Sequence, residues 1–204
     1  MRISRFVRCN HFSCTDVEKG VYAVPHAEVV SGKIRIVMIS EVPPADPKDY
    51  LYASGNPLQA ETTLTAFRDA GVDLSSMQEL LDFGVYVTTA VKCGKTGYRV
   101  STQSIQNCSV LLEEELALFP NSRVLLLMGD VAIKALNCIA KRQDGKRVIP
   151  AGATYKIRKH EYFFHGKRVL PSYLQAGPAF FIEKSKRRMI AEDIRNALQC
   201  VRTK

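Results

Sequence analysis

No stretch of this sequence is apolar over the length of a membrane span, and its opening residues, MRISRFVRCNHF, lack the apolar core of a secretion signal. These two absences set the expectation of a cytoplasmic protein without membrane association. Acidic residues are scarce: 20 Asp and Glu stand against 29 Lys and Arg, a formal net charge of +9. Such an excess suits a polyanionic partner and says little about the fold. Internal repeats and low-complexity segments are absent too, so nothing marks a repeat array.

What is present reads as one domain. The 204 residues, 46% of them apolar, are enough to bury a core without covalent staples. A polar, irregular segment, residues 1–32, precedes the first buried strand, KIRIVMIS at 33–40. Further strands follow at 85–91, 123–128 and 168–173, each a near-continuous apolar run of the kind buried on both faces of a parallel sheet. Between them, helices are expected over 60–70, 74–81, 102–119 and 131–142, with a last one over 183–201. Ser101 or Thr102 is the expected cap of the third helix. A basic hairpin with TYKIR and YFFHG as its arms is expected before the last strand. The alternation predicts an α/β three-layer sandwich around a central, mostly parallel, four-stranded sheet. Ligands of such sheets bind outside the C-terminal strand ends, here Ser40-Glu41, Thr88-Thr89, Gly129-Asp130 and Ser172-Tyr173.

The basic residues cluster. Ten Lys and Arg lie between Val131 and Arg168 against two acids, Asp144 and Glu161. Lys184, Lys186, Arg187 and Arg188 open the last helix. Cations in a first turn oppose the helix dipole at a cost of some tenths to about 1 kcal/mol each. A phosphate backbone lying across that helix start would offset the cost.

Six cysteines in a reducing compartment point away from three disulfides. Four residues separate Cys9 from Cys14, His11 among them, and fourteen separate Cys93 from Cys108. Structural zinc sites use two close pairs, which this spacing does not supply. Four thiolates, two from the N-terminal segment and two from a strand–loop–helix clamp, suit an iron–sulfur cluster. The alternative is four ordinary buried thiols. Cys138 and Cys200 fit that alternative.

Taken in order, IVMISEVPP, VYVTTAVKC followed by Cys108, RVLLLMGDVAIKAL, VLPSY and KRRMIAEDI resemble the uracil-DNA glycosylase superfamily in its iron–sulfur, family 4-like branch. The resemblance runs from about Lys33 to Leu198. It implies a base flipped from DNA into a pocket and hydrolysis of its N-glycosidic bond. A structural 4Fe-4S cluster on Cys9, Cys14, Cys93 and Cys108 is implied as well. Glu41 matches the first-motif acid, flanked by Ser40 where the family has glycine. Leu58 follows Gly55-Asn56-Pro57 where the family has a stacking Phe, with Tyr52 or Tyr50 a substitute ring. Thr89 stands where the family reads uracil with Asn, and Leu174, beside Gln175, where it has His. Thr lacks the paired donor and acceptor of an amide. The implied catalytic residues are Glu41 and Gln175, and the pocket residues Ser40, Tyr52, Leu58, Thr89 and Leu174. Lys92, Lys184, Lys186, Arg187 and Arg188 are the implied DNA contacts.

Two readings of function result. One is a monomeric DNA glycosylase acting on a damaged or deaminated base. The other is a non-catalytic iron–sulfur protein that binds nucleic acid on the same scaffold. Action on a free nucleotide is a third and weaker option.

Overall fold

A computed structural model describes residues 1–10 and 13–202. In chain order the elements are β1 (Val17–Glu18), β2 (Ile36–Ser40), α1 (Leu58–Asp69), α2 (Met77–Asp82), β3 (Val85–Thr89), β4 (Gly94–Lys95) and α3 (Thr102–Ala117). They continue with β5 (Val124–Met128), α4 (Asp130–Asp144), α5 (Thr154–Ile157), β6 (Tyr162–Phe164), β7 (Lys167–Ser172), α6 (Ala179–Ile182) and α7 (Lys184–Arg202).

The central sheet has the order β3-β2-β5-β7-β6, and its first four strands are parallel. β2, β3 and β5 are buried at every residue, as their unbroken apolar runs require of strands covered on both faces. Strand alternation sorts the two cores. Val37, Ile39, Tyr86, Leu125 and Leu127 face α3 and α4, where Leu112 and Leu136 meet them. Ile36, Met38, Val85, Val87 and Leu126 face α1 and α7, against Phe67, Ile190 and Ile194.

The sheet has five strands rather than four. Phe164 pairs with Lys167 across the two-residue loop His165-Gly166, whose φ angles of 46° and 75° are both positive. A two-residue hairpin with both φ positive matches the strand twist, and Gly166 makes it accessible. The expected first arm, TYKIR, is not a strand. Its first four residues form the helical turn α5, and Arg158 then reaches α7, bonding Asp193 Oδ1 at 2.7 Å and the Met189 carbonyl at 2.9 Å.

Helix ends follow local chemistry. Ser101 caps α3 by accepting from the Ser104 N–H at 3.1 Å, and Ser76 caps α2 in the same way through Glu79. Gly145, in the left-handed region, ends α4.

Candidate active site and thiol cavity

The parallel register places Thr89 beside Ser40 at the C-terminal strand ends, with Ser172 level with Met128 further along the sheet. Ser40 and Thr89 continue the alternating series that faces α1 and α7. Tyr50 lies in the loop after β2; Gln59, in the first turn of α1, donates to the Val42 carbonyl of that loop at 3.3 Å; and Gln175, in the loop after β7, bonds Thr63 of α1. None of these five residues is more than 8% exposed. Ser40 Oγ, Thr89 Oγ1, the Tyr50 hydroxyl, Gln59 Oε1 and Gln175 Oε1 have no hydrogen-bond partner among the described residues. An unsatisfied buried polar atom costs about 1–3 kcal/mol, so these five, all on strand ends or beside the loops that leave them and together called the polar layer, are open to polar partners. Burial raises the Tyr50 phenol pKa well above its ordinary value, leaving it a donor. Leu51, Tyr52, Ala53 and Pro57, with Ala60 and Leu64 of α1, line an adjacent cavity of about 800 Å³.

The other expected pocket residues stand around this layer. Tyr52 donates its hydroxyl to the Val87 carbonyl at 2.9 Å, and its ring centroid lies 6.0 Å from that of Tyr50. Leu58 opens α1, its N–H donating to Asp49 Oδ1 at 3.3 Å. Leu174 is 37% exposed while its neighbour Gln175 is buried.

Glu41 and Gln175 are not brought together. Glu41 follows Ser40, so alternation sends its side chain to the opposite face, where Oε1 accepts from the Val131 N–H at 3.2 Å at the start of α4. Gly129, with φ of 100°, permits this approach, because a Cβ there would overlap the Glu41 carboxylate. Burial raises the Glu41 pKa, with the Val131 N–H opposing. Its carboxylate borders a cavity of about 480 Å³ shared with Lys95, Tyr98, Arg99, Asp130 and Lys134. Tyr98 is 87% exposed, with the Lys95 ammonium 5.7 Å and the Arg99 guanidinium 5.9 Å from its ring centroid.

Lys92 is corrected from a DNA contact to an internal cation. It is 0% exposed, and its ammonium pairs with Glu115 of α3. It also donates to Thr88 Oγ1 at 2.9 Å and to the Thr89 carbonyl at 2.5 Å. Glu115 Oε1 accepts from Tyr86 at 2.5 Å and Thr88 at 2.9 Å, so the buried charges are fully engaged. Among the four cations opening α7, Lys184 and Arg188 are exposed. Lys186 bonds Glu183 at 2.6 Å, and Arg187 is held to Asp69 at the end of α1, one of its two contacts at 2.8 Å.

Cys9, Cys14, Cys93 and Cys108 line one cavity of about 380 Å³, with Tyr22, Lys92 and Asn107. Cys93 and Cys108 are buried and Cys9 and Cys14 half-buried. The Cys93 thiol pKa is pushed up to about 12 by burial and then by the other three thiols, and that of Cys108 to about 11 by burial, against the nearby Lys92 charge. The Lys92 backbone N–H donates to Cys108 Sγ at 3.2 Å. Among the described residues, no three His, Cys, Asp or Glu side chains form a group suited to a single metal ion. His11 lies outside the described residues.

A family model described as the uracil DNA glycosylase superfamily matches residues 28–193. The chain belongs to that superfamily. A curated relative, the type-5 uracil-DNA glycosylase of Thermus thermophilus, is 35% identical over 91 residues. That match covers 45% of this chain and 39% of the relative, so the two share well under two thirds of the relative's length. Superfamily membership agrees with the three-layer sandwich and its mostly parallel sheet. No helix among the described residues is long and apolar enough to cross a membrane.

Sequence reasoning missed Gln59, Tyr98 and Glu115. Gln59 looks like any polar residue in a first helical turn, and Glu115 like its exposed neighbour Glu114. Tyr98 carries a readable signal, an aromatic within the basic loop KTGYR.

Proposed function

We propose that this uracil-DNA glycosylase superfamily member is a DNA glycosylase that receives a flipped base in the polar layer at the strand ends. The observation carrying this reading is the set of five buried, unpartnered polar atoms on Ser40, Thr89, Tyr50, Gln59 and Gln175, at the sheet edge where such folds bind ligands. In the hydrolysis, water oxygen bonds to C1′ of the sugar as the C1′–N bond breaks. The bond's electron pair leaves with the base, which takes up the proton. The hydroxyls of Ser40, Thr89 and Tyr50, free of other partners among the described residues, are donors for the charge gathering on the departing base. Glu41, turned toward α4, acts as a positioning residue that fixes the loop after β2.

DNA approaches across Tyr98, Lys95 and Arg99 on one side, and across Lys184 and Arg188 on α7 on the other. An exposed ring between cations is a stacking platform beside a phosphate track. The four thiols suit an iron–sulfur cluster, since they line one cavity and would bind iron as thiolates with their protons displaced. A cluster's chemistry here is structural: it would be held by Cys9, Cys14, Cys93 and Cys108 and tie the N-terminal segment to the β3–α3 clamp. The protein acts as a cytoplasmic monomer in this reading.

The test is incubation of anaerobically purified protein with oligonucleotides carrying uracil, hypoxanthine, xanthine or a mismatch. Alkali-labile breaks that appear with the wild type and vanish in Ser40→Ala/Thr89→Val support the reading. The absence of breaks from all four substrates, with DNA still bound, favours a second reading: a non-catalytic nucleic-acid-binding protein. What supports that alternative is the placement of Glu41 and Gln175 on opposite faces.

A further inference from the structure

β3 is an edge strand of the central sheet, so the backbone groups on its outer side have no neighbouring strand to bond. Side chains take that place. The Tyr52 hydroxyl donates to the Val87 carbonyl at 2.9 Å, and the Lys92 ammonium reaches the Thr89 carbonyl at 2.5 Å. On the inner side of the same Thr89–Ala90 peptide, the Ala90 N–H donates to the Ser40 carbonyl at 2.8 Å. The Val91 N–H follows, donating to the Glu41 carbonyl at 3.0 Å. One peptide is thus pinned between Lys92 and Ser40, where the register sets Thr89 beside Ser40.

Lys92 is itself held on several sides. Its ammonium pairs with Glu115 in the last turn of α3 and donates to Thr88 Oγ1 at 2.9 Å. Glu115 Oε1 in turn accepts from Tyr86 and Thr88. The Lys92 backbone N–H bonds Cys108 Sγ, and its carbonyl accepts from the Ala23 N–H at 2.7 Å. A buried ion pair often adds no stability over apolar side chains of similar volume. What the ammonium grips gives such a pair a purpose beyond stability. Donors to a departing base work through geometry, and a misplacement of about 1 Å can cost about a hundredfold in rate.

We propose that Lys92 is a positioning residue for the base site: it fixes the Thr89–Ala90 peptide so that the Ser40 and Thr89 hydroxyls stay aligned on a departing base. The inference rests on the glycosylase reading for what those hydroxyls do and deepens it by naming the residue that aligns them. Lys92 is buried, touches no base, and acts through the backbone.

The experiment follows single-turnover cleavage and amide hydrogen exchange in the wild type, in Lys92→Met/Glu115→Leu and in Lys92→Arg/Glu115→Asp. The first double variant removes both charges together, and the second keeps a cation for the Thr89 carbonyl. The substrate is whichever oligonucleotide the wild type cleaves among those carrying uracil, hypoxanthine, xanthine or a mismatch. In the neutral variant the maximal rate should fall about a hundredfold at an unchanged half-saturating DNA concentration, because the aligned donors act in the transition state. Without DNA, exchange at the Ala90 N–H should quicken about tenfold while that of β5 stays at the wild-type rate. The Arg/Asp variant should recover most of both losses. A folded neutral variant with the wild-type cleavage rate, or with wild-type exchange at Ala90, would overturn the inference. So would equal losses in the two double variants. A wild type that cleaves none of the substrates sinks the hydrolytic reading, and exchange at Ala90 alone then decides whether Lys92 holds the peptide. Should neither variant fold, the wild type decides: its Ala90 N–H must exchange as slowly as those inside the β2–β3 ladder, and exchange at the rate of an open loop would sink the proposal.

Discussion

Lys92 touches Cys108 and Glu115 at once: its backbone N–H donates to the Cys108 sulfur at 3.2 Å, and its buried ammonium pairs with Glu115 seven residues further along the same helix. The same ammonium holds the Thr89 carbonyl at 2.5 Å. One residue thus joins the thiol cavity, the end of β3 and the last turn of α3, and through Thr89 it reaches the polar layer.

Removing one partner of that ion pair leaves the other charged, buried and unpaired. Lys92→Met and Glu115→Leu are each expected to lower stability by about 3–5 kcal/mol in chemical denaturation. The double variant Lys92→Met/Glu115→Leu should be less destabilised than the sum of the two. An additive double variant would mean that the two charges do not act as a pair.

These residues also show what the sequence could convey. β2, β3 and β5 are legible because burial on both faces leaves an unbroken apolar run, and the caps at Ser76 and Ser101 are local events. Lys92 was not legible, because its partner lies 23 residues away in a Glu-Glu-Glu run whose members look alike. TYKIR alternates like a strand, but Arg158 finds Asp193 some 35 residues later, and that tertiary bond accompanies a helical turn. The strand ends were readable as the place for a site. The orientation of Glu41 toward α4 was not, since it depends on where β2 ends and on the open space above Gly129.

The position of Glu41 predicts a pH signature. Burial raises its folded pKa above the unfolded value, about 4.3 for a free Glu. A raised pKa gives a contribution fully present below the unfolded pKa and lost as pH rises through the folded one. Glu41→Gln removes the buried charge, so the variant should gain stability relative to wild type between pH 4 and pH 8. Thermal melts at pH 4, 6 and 8 measure this. A variant that instead loses ground as pH rises would show that the start of α4 favours the carboxylate more than burial penalises it.

Tyr98 and its flanking cations separate stacking from charge. Tyr98→Ala is expected to weaken single-stranded DNA binding by about 1–3 kcal/mol, and Tyr98→Phe to retain most of the affinity. Lys95→Ala and Arg99→Ala should each flatten the dependence of log affinity on log salt by about one unit. Titrations at several salt concentrations measure both effects. Equal losses for Tyr98→Ala and Tyr98→Phe would remove the ring face from the account and leave only its hydroxyl.

The thiol cavity gives the last prediction. If the four thiols bind iron together, each of Cys9→Ser, Cys14→Ser, Cys93→Ser and Cys108→Ser should lower iron and sulfide content, while Cys138→Ser and Cys200→Ser should leave both at the wild-type level. Loss should be greatest for Cys93 and Cys108, which are buried and anchored on the β3–α3 clamp, and smaller for the half-buried pair on the N-terminal segment. Chelation of iron from the wild type should open the segment around Cys9 and Cys14 to limited proteolysis before the sheet unfolds, because β1 has a ladder of just two residues with β4 beside the bonds of Asp16 to Ser101 and Ser104. Equal iron in all six variants would return the four cysteines to ordinary buried thiols. The β1–β4 ladder, the bonds of Asp16 to Ser101 and Ser104, the Ala23–Lys92 backbone bond and the buried Ile3, Val7, Val17, Val24 and Val29 would then hold that segment in place.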